Sequence, residues 1–169
     1  MGLLIGTFIV VGFHLPEWWR SPNTATGTTT GDHPTAKAFE DRLSKLISAE
    51  RASVGCPALH PDVHLQAIAD QRAQSMAGGG TLGHVDSDLR DPQTRAEATG
   101  YRGRVVENLA VGLPTAADVM ARWLDPQIDR ALRARLDDCT FVSAGVGFSP
   151  QQATSRFGSG VWVLDLGTT

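Results

Sequence analysis

Cysteine is scarce in this chain: only Cys56 and Cys139 occur, far apart and forming no C-x-x-C. That argues against zinc-ribbon and thioredoxin-type chemistry and leaves a disulfide or two buried thiols. Runs of one charge are missing too. The 15 basic and 18 acidic residues are interspersed, the net charge is −3, and no basic face offers itself to nucleic acid, which is not expected as a partner. The chain has no G-x-S-x-G elbow; Ser159 sits in G-S-G before a strand and Ser87 follows His84 without an apparent base, so serine hydrolysis is not supported. It has no H-E-x-x-H for a zincin, and no G-K-[ST] follows Gly78-Gly79-Gly80, which therefore reads as a flexible connection. Asp86-Ser87-Asp88 lacks the Gly and the terminal Glu of an EF-hand and reads as a solvated acidic turn. His33, His60 and His64 have no paired ligand spacing and read as ordinary exposed side chains. There is no internal repeat.

What is present is one domain's worth of apolar material, 41% of 169 residues. Met1 to Phe13 is almost wholly apolar but shorter than the ~20 residues that span a bilayer upright. It suits the core of a signal peptide, yet no Lys or Arg precedes it and no clear small-x-small cleavage site follows. Trp18, Trp19 and Arg20 suit a membrane interface, so residues 1–20 are expected to be a signal peptide or an uncleaved anchor, touching the membrane or the secretion machinery. Either places the domain outside the cytoplasm, where Cys56 and Cys139 are expected to pair. Residues 21–34 hold Thr, Gly and Pro without a large apolar residue and read as a flexible linker. The folded domain is expected over residues 35–169.

Within it, Phe39, Leu43, Leu46 and Ile47 recur at helical spacing, predicting a helix to about Ser53 stopped by Gly55. Pro61 is expected to open a second helix with Leu65, Ile68, Ala69, Arg72 and Met76 on one face, ended by the triple Gly. A short helix follows from Asp91-Pro92 to Thr99, then a strand from Val105. Pro114-Thr115 restarts a helix with Ala116, Val119, Met120 and Trp123, Pro126 interrupts it, and Ile128 to Leu136 form another piece. Two strands end the chain, with Val142, Ala144, Val146 and Phe148 alternating in the first and V-W-V-L-D-L in the second. Helices first and strands last predict an α+β fold with a small antiparallel sheet covered by helices. Leu43, Ile47, Leu65, Ile68, Trp123, Val146 and Trp162 are the expected core.

The stretch Val105 to Gly112, V-V-E-N-L-A-V-G, is an apolar run interrupted only by Glu107 and Asn108, which marks a candidate site. Taken in order, L-S-K-L-I-S-A-E-R-A-S-V-G, P-D-V-H-L-Q-A-I-A-D-Q-R-A-Q-S-M, G-H-V, E-N-L-A-V-G, R-W-L-D-P, A-G-V-G-F and V-W-V-L-D-L resemble the CAP superfamily over about Ala38 to Leu166. This is the family of cysteine-rich secretory, antigen-five and plant pathogenesis-related proteins, or SCP-like extracellular domains, and the likeness is to its bacterial branch. The resemblance implies a three-layer α-β-α sandwich, secretion, and a cavity of two His and acidic residues that in some members holds a divalent metal.

Carried over by position, the resemblance makes His84 the first cavity His and Glu107, followed by Asn108, the motif Glu. Where the bacterial pattern has its second His, this chain has Asp129, followed by Arg130, and Val106 replaces the usual Gly before Glu107. The implied cavity is thus His84, Glu107, Asn108 and Asp129, and the implied metal set His84, Glu107 and Asp129. Exchanging an imidazole for a carboxylate predicts weaker zinc binding and a metal-free resting state. Alternatively, Asp129 caps the helix that follows it. Three functions are carried forward: a secreted or membrane-tethered, non-catalytic binding module for a lipid, sterol, envelope or host ligand; a metal-dependent or acid-base hydrolase using the same cavity; and a structural domain of the cell envelope.

Overall fold

The computed structural model describes residues 35–150 and 160–169. The expected leader or anchor, the linker and Ser159 lie outside the described residues. Thr35 accepts the Ala38 N–H and starts helix α1, Ala36–Ser53, which turns Leu43 and Ile47 inward and ends where Gly55 adopts φ +83°. Strand β1, His60–Pro61, and helix α2, Val63–Ala77, follow.

Here the expectation that Pro61 opens the helix is corrected. His60 and Pro61 pair in parallel with Ser143 and Ala144, and Asp62, whose carboxylate accepts the His64 and Leu65 N–H groups, begins the helix instead. A proline without an N–H is tolerated on so short an edge strand. Helix α3, Pro92–Thr99, is capped by Asp91 and closed by left-handed Gly100. Strand β2, Val105–Val111, leads to helix α4, Ala116–Leu124, capped by Thr115, and to helix α5, Arg130–Leu136. Ile128 lies before α5 and is exposed. Strands β3, Ser143–Pro150, and β4, Gly160–Gly167, complete the domain.

The strands form one sheet in the order β1-β3-β4-β2, antiparallel except for β1. Alternation along β4 sorts the core. Trp162, Leu164 and Leu166 face α1, α4 and α5, where Leu43, Ile47, Val119, Trp123, Leu132, Leu136, Val146 and Phe148 join them. Val161 and Val163 face α2 and meet Ala69, Ala73 and Met76, while Leu65 and Ile68 pack with Ala96 of α3 and Val105. The result is the α-β-α sandwich, and all seven expected core residues are buried.

Helix α2 lies almost on the backbone of β3. A Cβ at Gly145 would stand 2.2 Å from the Leu65 carbonyl carbon, and one at Gly147 2.3 Å from the Ala69 carbonyl oxygen. At one corner Cys56 and Cys139 are bonded, with Cα atoms 5.0 Å apart. Buried Arg51 donates there to the carbonyls of Pro57, Leu136, Asp138 and Phe141, tying α1 to the end of α5 and the start of β3.

Candidate functional site

Successive residues of a strand point to opposite faces, and this separates the two polar residues of β2. Glu107 faces the α2 and α3 layer. Asn108 faces the other side, where its amide donates to the Leu132 carbonyl at 3.0 Å and its oxygen accepts from Arg135 at 3.1 Å. Asn108 therefore fastens α5 to the sheet and does not share a cavity with Glu107.

Glu107 is wholly buried and both its oxygens are engaged. Oε1 lies 2.9 Å from His84 Nδ1, and Oε2 accepts from Arg95 Nη2 at 2.6 Å. His84 comes from the loop between α2 and α3, and its side chain is 49% exposed. Two buried arginines hold that loop. Arg72 of α2 donates to the carbonyls of Thr81, Gly83 and Val85, and Arg95 of α3 donates to those of His84 at 2.8 Å and Arg90 at 3.0 Å. The acidic turn expected to be solvated is only half so. Asp86 is buried and accepts from the backbone of Asp88 and Arg90 and from Arg90 Nε, whereas Ser87 and Asp88 are exposed.

The layer contains a second carboxylate, not expected from the sequence. Asp165 stands opposite Glu107 in the β2–β4 register, which puts both side chains on one face. It is fully buried, and neither oxygen has a hydrogen-bond partner among the described residues. Burial, followed by the negative charge of Glu107, pushes its carboxyl well above the usual carboxylate range, against the pull of Arg95 and Arg72. Burial also lowers the guanidinium pKa of Arg72. The signals for this layer were a lone Asp within V-W-V-L-D-L and an Arg on the apolar face of the second helix.

Asp129 is elsewhere in function. It is exposed at the N-terminus of α5, and its carboxylate accepts the Ala131 N–H at 2.8 Å, so the expected convergence with His84 and Glu107 is corrected in favour of the capping role. No group of three His, Cys, Asp or Glu side chains able to hold a metal occurs among the described residues. Catalytic zinc ordinarily takes three protein ligands, and here the one imidazole faces a carboxylate already paired with Arg95, so the residues present do not fit a metal. His84 is half exposed, yet no Ser, Thr or Cys side chain is hydrogen bonded to it among the described residues.

The family model for CAP, the cysteine-rich secretory protein family, matches residues 45–166. The chain belongs to the CAP family. A curated relative, the uncharacterized protein YkwD of Bacillus subtilis, is 26% identical over 132 residues, covering 76% of this chain. The chain spans 50% of that relative's length. Among solved structures, an extracellular SCP-domain protein of Bacillus anthracis superposes with a TM-score of 0.67 at 16% identity, over 79% of this chain and 41% of that one. An outer surface protein of Borrelia burgdorferi gives 0.67 at 18% identity, over 80% of this chain and 96% of that one. These likenesses place the sandwich among bacterial CAP domains.

Proposed function

We propose that this CAP domain is exported and acts as a non-catalytic binding module for a component of the envelope or of a host, its His84, Glu107, Arg95 and Asp165 forming an internal polar clasp. The observation that carries this reading is that each oxygen of Glu107 is engaged, one by His84 and one by Arg95, which leaves Glu107 no free oxygen to serve as a base, while Asp165 opposite it is fully buried. A general base must reach the proton it removes, and a wholly buried, doubly bonded Glu107 does not reach the surface. Export is supported by the Cys56–Cys139 bond and by the description of structural neighbours as extracellular or outer surface proteins.

The test has two arms on protein expressed in its own host with its N-terminus intact. Protease added to intact cells, together with assay of the medium, should find the domain outside the cytoplasm, and purified protein should not turn over peptide or ester libraries. Turnover that disappears in His84→Ala would establish the hydrolase reading instead.

A further inference from the structure

Away from the His84 layer, α1 and α2 flank the outer edge of β3. β1 covers that edge only at Ser143 and Ala144, and side chains satisfy the backbone beyond it. The Gln66 amide accepts the Val146 N–H at 3.1 Å and donates to the Val146 carbonyl at 2.8 Å, and Glu40 Oε1 accepts the Phe148 N–H at 3.3 Å. Between the helices opens a groove of about 520 Å³, sharing the walls Lys37, Glu40, Pro61 and Gln66 with an inner pocket of about 170 Å³ over Ile47, Leu59 and Val146.

The outer groove has apolar walls at Pro61, Val63 and Ala67 and acidic ones at Glu40, Asp62 and Asp70. Glu40 is only 8% exposed, lines both cavities, and has no hydrogen bond to Oε2 among the described residues. Asp70 lines the outer groove, and Lys37, the one cation in its lining among the described residues, is engaged by Asp41. Burial, then the charge of Asp70, raises the Glu40 carboxyl pKa, and burial raises that of Asp70. Glu40, Asp41, Asp62 and Asp70 against Lys37 leave the walls of the two cavities with an acidic excess among the described residues, and its complement is a cation on an aliphatic stem.

We propose that this groove binds a lysine or arginine side chain of an extended peptide partner, its stem along Pro61, Val63 and Ala67 and its cation at Glu40 and Asp70. This goes beyond the exported-module reading and stands or falls apart from His84, Glu107, Arg95 and Asp165, which lie on other elements.

The test is a titration of the full chain, followed by NMR, with the peptide acetyl-Ala-Val-Lys-Val-Ala-amide and its norleucine counterpart. The lysine peptide should saturate and shift the amides of Gln66, Asp70 and Val146, while the norleucine peptide should bind about tenfold more weakly or worse. Glu40→Gln, which keeps an acceptor for the Phe148 N–H, and Asp70→Asn should each weaken lysine-peptide binding to a similar degree while leaving the spectrum of a folded protein. No saturable binding, equal binding of the two peptides, or indifference to both substitutions would overturn the proposal. So would occupation of the groove by decanoate in preference to the peptide, or by a second copy of the chain.

Discussion

Asp165 governs the electrostatics of the buried layer, and its effect on stability has a definite sign. With its pKa raised in the folded state, the native protein keeps a proton that the unfolded chain releases above its ordinary carboxylate pKa. Stability present in acid is therefore lost as pH rises through the folded pKa. Asp165→Asn keeps the shape and cannot ionise, so it should be more stable than the parent at neutral pH, with the gap closing as pH falls to about 4. Urea unfolding at both pH values checks this, and an Asn variant less stable at neutral pH would contradict it. Glu107 was legible because a carboxylate interrupts an apolar run, and Asp165 carried the same signal inside V-W-V-L-D-L. Asp129 was misplaced for a different reason. Its position after Trp123 follows the family pattern, but a carboxylate just before a helix has a local use as a cap that spacing alone does not weigh.

Among the elements, helix phases were readable because 3.6-residue periodicity acts locally, whereas two starts were not: Asp62 rather than Pro61 caps α2, and α5 begins at Arg130 rather than Ile128. A two-residue strand leaves no period to read, so β1 was taken into the following helix. The opposition of Glu107 and Asn108 follows from strand alternation once β2 is assigned. The approach of α2 to β3 was not legible, because A-G-V-G-F shows two glycines without showing what lies over them. It makes a clear prediction. Gly147→Ala must push α2 from β3 and should cost about 1–3 kcal/mol as an overpacked contact, read by thermal or urea unfolding. A variant as stable as the parent would show that the two elements have slack.

For the molecule as a whole, Cys56 and Cys139 close a loop of sequence separation 83, and the chain-entropy model puts their bond at about 4–5 kcal/mol. Because Arg51 holds the same corner through four carbonyls, the Cys56→Ser and Cys139→Ser double variant should fold and lose stability, chiefly through a freer unfolded chain. The pairing was legible from two cysteines and the expectation of export, whereas Arg51 looked like any charged residue of an amphipathic helix. The clasp around Glu107 is tested most directly by equilibrium unfolding of Arg95→Met and His84→Ala beside the parent. Removing Arg95 leaves Glu107 buried without its guanidinium and should cost about 3–5 kcal/mol. Removing half-exposed His84 should cost less than about 1 kcal/mol. The opposite ranking, with Arg95→Met tolerated and His84→Ala strongly destabilised, would contradict a structural clasp built on Glu107 and Arg95.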